Sequence, residues 1–448
     1  MQRLIAALTT AVCLSAAPLM AQEPGRIAVQ TDTLANGLTV ILAPDHSAQV
    51  VAVDVWYNVG SRNEVRGRTG FAHLFEHMMF QGSAHVKKAE HFQLVQRAGG
   101  AMNGSTTEDR TNYFEVLPSN RLNLGLWLEA DRMRSLAVND SNFHNQREAV
   151  KEERRLRVDN QPYTRVLFED AYGIYDSTSC FPYAHSVIGS MDDLNAAETN
   201  DVKEFHDLYY APNNATLTIV GDFDPAQAKQ LVQQYFANIP RSPEPPAVQC
   251  TPRFNTGPMR RTATDAKATL PAAFHVFRVP AYESPDYPAL QLLSTILGQG
   301  ESSRLNVRLA RDAKAAVATQ VLLNPFGPRR GPGLMYVFAI ANQGVPIDSV
   351  DGLLSAEIAR VGSEGVTDAE LTKAKNQLRA STINQRQQSL SRAEALQRAN
   401  MFLGDANAVN TDLDRYMKVT TADVKRVAGM YLRPDNSLIL IVTPEAKP

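Results

Sequence analysis

The chain of 448 residues has little cysteine and tryptophan, with three and two copies, and its formal net charge is only −2. So few cysteines exclude a disulfide-dense scaffold. The near balance of charge excludes the basic surface with which proteins bind nucleic acids. Beyond the amino terminus no apolar stretch is long enough to span a bilayer, so we expect neither a nucleic-acid partner nor a membrane span. The length predicts two or more domains.

The first 21 residues have the pattern of a secretion signal. A positive Arg3 precedes the apolar run Leu4–Leu14, and Leu19-Met20-Ala21 offers a cleavage site. A mitochondrial transit peptide would be amphipathic and richer in arginine and serine. The pattern therefore predicts a signal peptide over 1–21 and an exported protein, most simply in the periplasm of a Gram-negative bacterium.

Residues 73–77 read His-Leu-Phe-Glu-His, and the helix predicted around them, 71–80, is otherwise apolar. On a helix turning about 100° per residue, His73, Glu76 and His77 project into one sector. Two neutral imidazoles one turn apart suit Zn²⁺, and the glutamate beside them is placed to take a proton from water. A motif with three fixed positions also recurs by chance. The apolar surroundings favour a metal site over a chance match, because ionisable groups on a buried helix need a partner such as a cation.

Glu153 is another ionisable residue on the apolar face of a predicted helix. This helix covers 141–158 and has Ser141 as its N-cap. The apolar sector of that helix contains Phe143, Ala149, Val150 and Leu156. Glu153 falls in this sector, whereas Glu152 falls on the opposite, charged face. A buried carboxylate requires a metal, an arginine or a proton as its partner.

Three segments resemble the pitrilysin/insulinase family of inverted-zincin metallopeptidases, and in particular short bacterial members similar to the mitochondrial processing peptidase beta subunit. They are Gly70–Gly82, Ala98–Thr107 and Val150–Glu153. The resemblance covers nearly the whole chain after the signal. It implies a zinc metalloendopeptidase that acts on peptides or unfolded segments, and a chain that forms half of a clamshell.

The resemblance also implies the roles of single residues. His73, His77 and Glu153 would bind Zn²⁺ and Glu76 would be the general base. The strand around Asn103 would be an edge to which a peptide substrate adds. Where the family usually has a second glutamate, seven residues before the third ligand, this chain has Gln146. An amide can still support a ligand by hydrogen bonding, so we expect no inactivation from this change.

An internal repeat with an offset of 222 residues predicts the domain organisation. Asp201-Val202-Lys203, Tyr209, Pro212 and Asn214 recur as Asp423-Val424-Lys425, Tyr431, Pro434 and Asn436, and a strand-like segment follows each set. A repeat of this length indicates a duplicated domain rather than a solenoid. We predict two homologous α+β domains, each an α/β sandwich, over 28–238 and 256–448, with a proline-rich linker over 239–255.

The predicted strands follow a similar order in both domains. They are 38–42, 50–57, 101–106, 113–117 and 216–220 in the first, and 272–279, 318–323, 335–341 and 438–442 in the second. Gln81-Gly82 matches Gln299-Gly300, and in that register Gln291, Ser294 and Thr295 occupy the motif positions of the second domain. The second domain is therefore predicted to be non-catalytic.

Cys180 and Cys250 remain after removal of the signal. In an oxidising compartment they can form one disulfide that ties the linker to the first domain. The alternative is two free thiols, and the sequence is compatible with both.

The family resemblance also predicts a partner. Complete members place an arginine, followed seven residues later by a tyrosine, against the zinc site, but the corresponding segment 310–317 has neither at those positions. We therefore expect a paralogous subunit to supply the pair, in a heterodimer rather than a homodimer. Alternatives are a subunit that keeps zinc for structure, or an inactive peptide-binding or assembly subunit of an exported complex. Glu76 argues against the first alternative, and Gln146 and the missing pair are compatible with the second.

Overall fold

The computed structural model describes residues 26–251 and 259–445. The predicted signal peptide over 1–21 and part of the predicted linker lie outside these ranges. Within them, no helix combines the length and the apolar character that crossing a bilayer requires.

The described chain alternates strands and helices in two similar halves. The strands are β1 (Gln30–Thr33), β2 (Thr39–Pro44), β3 (Val50–Tyr57), β4 (Ala101–Thr106), β5 (Thr111–Pro118), β6 (Ala215–Gly221), β7 (Met259–Asp265), β8 (Ala272–Val279), β9 (Ala316–Leu323), β10 (Gly333–Ala341) and β11 (Ser437–Pro444). The helices are α1 (Phe71–Met78), α2 (Glu90–Arg97), α3 (Leu122–Ser135), α4 (Asp140–Arg154), α5 (Thr164–Phe168), α6 (Met191–Ala196), α7 (Thr199–Tyr209), α8 (Pro225–Phe236), α9 (Tyr287–Gly298), α10 (Ile347–Glu364), α11 (Asp368–Gln385), α12 (Ser389–Leu403), α13 (Asp412–Met417) and α14 (Thr421–Tyr431).

The strands form two sheets with the same internal order. The first sheet runs β1-β2-β6-β3-β5-β4 and the second runs β7-β11-β8-β10-β9. Without β1, the two orders correspond strand for strand, and β4 and β9 are the corresponding edge strands. The predicted fold class, α+β with two domains, is confirmed, while the domain boundaries stay a prediction.

Alternation along β3 shows how the first sheet is covered on both faces. Val51, Val53 and Val55 pack into a core with α1, α3 and α8. Ala52, on the opposite face, packs against Leu396 of α12, a helix that comes from the second half of the chain. Successive side chains of β3 thus point alternately to two covered faces, as in a strand that is buried on both sides.

The second sheet is covered in the same reciprocal way. One face packs on α9, α10 and α14 of its own half. The other face, with Phe274 and Tyr336, packs against Tyr172, Ile174 and Tyr175 of the first half. Each half thus supplies the outer layer of the other half's sheet.

Polar contacts also join the two halves at the hairpin between β4 and β5. The buried carboxylate of Glu108 pairs with the buried guanidinium of Arg329, and accepts a hydrogen bond of 2.9 Å from the Tyr172 hydroxyl. Its neighbour Asp109 accepts a bond of 3.1 Å from the Arg330 backbone N–H and pairs with Arg62 at 2.6 Å. The hairpin that ends the β4 edge is therefore fixed by both halves.

Cys180 and Cys250 form a disulfide. Beside it, the Thr251 N–H donates to the Ser179 carbonyl at 3.0 Å. Of the two alternatives left by the sequence, the structure has the one that ties the predicted linker to the first domain.

The strands predicted from the sequence are present, but two strands were missed. β1 and β7 have the polar sequences Gln-Thr-Asp-Thr and Met-Arg-Arg-Thr-Ala-Thr-Asp, so they carry no apolar alternation. They are held by pairing with β2 and β11.

The predicted helix over 141–158 differs at both ends. The N-cap is Asn139 instead of Ser141, because the extended Asn139 accepts from the Asn142 N–H at 3.0 Å. The α-helical pattern ends at Arg154 and a π-helical segment, Arg155–Asp159, follows. The wider π turn changes the facing of later residues, so Leu156 is 55% exposed instead of buried.

Candidate metal centre

Helix α1 is anchored at its N-terminus by a buried carboxylate. Gly70, the N-cap residue just before the helix, has φ 87°, in the left-handed region, and an added Cβ would lie 2.9 Å from the Ile188 carbonyl oxygen. Glu64 accepts from the N–H groups of Gly70 and Ala72 at 2.9 and 2.8 Å. His185 Nε2 lies 3.1 Å from Glu64 on the other side. Negative charge at a helix N-terminus is favourable, so this contact fixes where the motif helix begins.

His73 and His77 face Glu153 across the contact between α1 and α4. The distances from their Nε2 atoms to Glu153 Oε2 are 3.6 and 3.1 Å. The three ligand atoms lie within 4.8 Å of one another, and among the described residues they form the one group of this kind. Glu152, the neighbour of Glu153, points away and has an exposed carboxylate.

This geometry fits a zinc ion. Ligand atoms about 2.0–2.1 Å from a tetrahedral ion are separated by about 3.3–3.4 Å. The two measured separations, 3.6 and 3.1 Å, bracket that value. Nitrogen and carboxylate oxygen are also donors that zinc accepts.

The electrostatics favour the protonation states that bind a metal. Burial lowers the pKa of His73 to about 4, so this imidazole is neutral near pH 7. The hydrogen bond from His77 lowers the pKa of Glu153 to about 2, against the effect of partial burial. Arg157 contributes to that shift and lies 3.0 Å from Glu153 Oε1. A neutral imidazole and an ionised carboxylate are the forms that coordinate metals.

Glu76 stands beside this group and is held by the edge strand. The Thr106 hydroxyl donates a bond of 2.6 Å to Glu76 Oε2. Burial raises the pKa of Glu76 although this bond opposes the shift. Gly104 permits the approach, since an added Cβ would lie 3.2 Å from Glu76 Cγ and 3.1 Å from the Asn112 carbonyl oxygen. The site therefore combines a metal-binding group with a carboxylate of raised proton affinity.

Strand β4 ends the first sheet and leaves one side without a strand partner among the described residues. Asn103 lies on this strand, is exposed, and accepts from the Gly104 N–H at 2.9 Å. An edge strand of this kind can pair with an extended peptide.

A cavity of about 560 Å³ opens over the site. Besides the motif residues and β4, it is lined by Gln146, Tyr172 and Phe326, the last from the second half of the chain. The Gln146 side chain donates to Asn145 Oδ1 at 2.8 Å, so its amide is bonded to a neighbour on α4 and not to His73 or His77.

Sequence reasoning missed Thr106, Arg157, Glu64 and His185. Arg157 lies four residues after Glu153, and this spacing on a helix could have predicted the ion pair between them. The other three reach the site through tertiary contacts and have no local pattern.

The motif positions of the second domain carry a different chemistry. Ser294 and Thr295 both donate to the Gln291 carbonyl, at 2.8 and 3.2 Å, which are bonds internal to α9. No metal-binding group involves them in the part of the chain that the structure describes.

Comparison with known proteins decides the family. The model of the insulinase family, peptidase family M16, matches residues 39–177, and that of the peptidase M16 inactive domain matches residues 197–378. A zinc protease named PqqE from Helicobacter pylori is 31% identical over 92% of each chain. The chain belongs to the insulinase family of peptidases.

Other relatives of this insulinase-family chain agree with that assignment. The mitochondrial-processing peptidase subunit beta of Lentinula edodes is 24% identical over 90% of this chain and 87% of its own. The crystal structure of a protease from Helicobacter pylori superposes with a TM-score of 0.87 and 28% identity, covering 94% of this chain and all of the other. The fold also resembles the Escherichia coli periplasmic protease PqqL, with a TM-score of 0.74 and 17% identity, over 93% of this chain and 47% of that one.

Proposed function

We propose that this chain is an exported zinc metalloendopeptidase that hydrolyses peptides or unfolded segments. The observation that carries the proposal is the convergence of His73, His77 and Glu153 beside the buried Glu76, under an unpaired strand edge. Relatives named zinc proteases support it.

The two histidines and Glu153 would hold the metal. Zinc, when bound, supplies a Lewis acid that lowers the pKa of water and polarises a peptide carbonyl. Thr106 occupies Oε2 of Glu76, which leaves Oε1 to take the proton of the attacking water and to deliver it to the leaving amine. Glu76 would thus act as a base toward the water and as an acid toward the leaving amine.

Strand β4 would position the substrate by main-chain hydrogen bonds, with Asn103 at its exposed edge. Recognition through the backbone predicts loose side-chain specificity. The chain would work as one half of a heterodimer, because Val317, at the position of the family's tyrosine, is an exposed valine on β9. Arg304 cannot replace the missing arginine, since Glu370 holds its guanidinium by two bonds of 2.6 and 2.8 Å.

Export is supported by the signal-like amino terminus and by the Cys180–Cys250 disulfide, which is typical of oxidising compartments. The periplasmic location stated for PqqL points the same way. We therefore propose a periplasmic location.

Zinc content and cleavage of a quenched fluorogenic peptide test the proposal. They are measured for the wild type and Glu76→Gln, each with and without a paralogous chain that carries the Arg/Tyr pair. We expect zinc in both proteins and strong cleavage only by the wild type with its partner. Full cleavage by Glu76→Gln would refute the base, and full activity of the single chain would refute the heterodimer. If zinc is bound but nothing is cut with the partner present, the chain is a peptide-binding or assembly subunit.

A further inference from the structure

The second domain contains a cavity at the position that corresponds to the metal centre of the first. Its volume is about 340 Å³, and it lies beside α9 at the end of edge strand β9. The first cavity lies in the same way beside α1 at the end of β4. Gln291, which matches His73 in the Gln-Gly register, lines the second cavity. The duplicated fold has therefore kept a cavity in the half where the metal ligands are missing.

The charge in this second cavity is positive. Its charged lining residues are Arg386, Arg398 and Asp412. Asp412 is already engaged, because it accepts from the Tyr282 hydroxyl at 2.9 Å and pairs with Arg415 at 2.9 Å. The first cavity presents ligands for a cation, whereas the second presents two guanidinium groups and a single carboxylate that is already bonded to other residues.

Arg398 is the less engaged of the two arginines. Arg398 lines the cavity, and across residues 26–251 and 259–445 it forms no hydrogen bond or ion pair. Arg386 donates to the Val409 carbonyl, which uses one of its five N–H groups. Guanidinium groups that have lost part of their hydration gain most from a bidentate carboxylate.

One loop separates the two cavities. Phe326 lines the first, while Asn324, Gly327 and Pro328 line the second. An added Cβ on Gly327 would lie 3.6 Å from the Thr107 side chain, which directly follows β4. This loop is therefore the part of the chain that lies between the end of β4 and the second cavity.

We propose that the second cavity anchors a bound peptide by a carboxylate, through Arg398 and Arg386. The carboxylate is either the C-terminal group or an aspartate or glutamate side chain. This inference rests on the proposed function in taking a peptide as the ligand, but it requires no hydrolysis.

Calorimetric titration of zinc-loaded Glu76→Gln tests the inference with three short peptides of otherwise identical, uncharged sequence. One has a free C-terminus, one is amidated, and one is amidated with a single glutamate in place of a glutamine. We expect at least one carboxylate peptide to bind about tenfold more tightly than the amidated one, and the stronger peptide identifies the source. Adding Arg398→Gln should remove that difference and leave the affinity for the amidated peptide unchanged, which also shows that the protein is folded.

Arg379→Gln is the matched control, because Arg379 lies on α11, outside the cavity lining, and contacts Met417 Sδ at 3.3 Å. It should keep the preference for the carboxylate, whereas Arg386→Gln should weaken it. Equal affinity for the three peptides, or a preference that survives Arg398→Gln, overturns the inference. Cleavage is scored separately, with the wild type and its paralogous partner together, so peptides that bind by a carboxylate but are not cut by that complex refute the proposed function alone.

Discussion

Thr106 donates a 2.6 Å hydrogen bond to Glu76, and this bond links the edge strand β4 to the motif helix α1. The strand that offers its edge to a peptide thus also orients the carboxylate that would act on that peptide. Strand β4 therefore serves both peptide binding and proton transfer. A substitution of the Thr106 hydroxyl should affect proton transfer by Glu76 and leave peptide binding to the strand edge intact.

Thr106→Val keeps the branched shape and removes the donor. We expect kcat for peptide hydrolysis to fall about tenfold, since a hydrogen bond to a charged group contributes about 1.5 kcal/mol. KM and zinc content should change little, and Thr106→Ser should restore the rate. The measurements are steady-state kinetics and metal analysis, and loss of zinc in the valine variant would contradict a role limited to Glu76.

Glu153→Gln should abolish tight zinc binding, because the amide is a weaker ligand than the carboxylate held between the two histidines. Glu152→Gln is the matched control on the exposed face of the same helix. Metal analysis after dialysis against a weak chelator distinguishes them. Equal zinc retention by both variants would exclude Glu153 as a ligand.

The His185–Glu64 contact predicts how stability depends on pH. Burial lowers the pKa of His185, but the bond and charge of Glu64 outweigh it, so the net pKa is raised above 6.5. A raised pKa contributes stability that is fully present below the unfolded value and is lost as pH rises through the folded value. We expect the Tm of the wild type to fall as pH rises above 6.5, and His185→Gln to have a flatter profile over the same window. A parallel profile in that variant would assign the dependence to another group.

Reduction of the Cys180–Cys250 disulfide, which closes 70 residues of chain, should destabilise the protein by about 2–4 kcal/mol. The denaturant midpoint with and without a thiol reductant measures this loss. A double Cys→Ser variant should show the lower midpoint under both conditions. A reductant effect that persists in this variant would have to arise elsewhere.

The buried Glu108–Arg329 pair predicts a strong coupling between the halves. Arg329→Met leaves a buried carboxylate without its cation and should cost about 3–5 kcal/mol of unfolding free energy. Adding Glu108→Gln should recover part of that loss, because the amide carries no charge. A double-mutant cycle from denaturant unfolding measures the coupling, and additive effects would show that the pair contributes none.

Helical periodicity was enough to predict that Glu153, and not Glu152, faces the buried side where the two histidines lie, because α4 is a regular α-helix as far as Arg154. The prediction of a buried Leu156 was wrong three residues later, where the π-helical segment changes the register. Strands were predicted from their apolar residues, so the apolar β3 was found and the polar β1 was missed. The contacts of Thr106 with Glu76 and of Glu64 with the N-terminus of α1 could not be predicted from the sequence, since they form only when distant segments fold together.

The exchange of outer layers between the two sheets has a practical consequence for anyone who divides this chain. A fragment that ends at the linker would lose α12 and leave the apolar surface of Ile41, Ala52 and Val220 open to water. The complementary fragment would lose the cover of Phe274 and Tyr336. The border that is easiest to read in the sequence is therefore the wrong place to cut, and isolated halves should aggregate unless they are produced together.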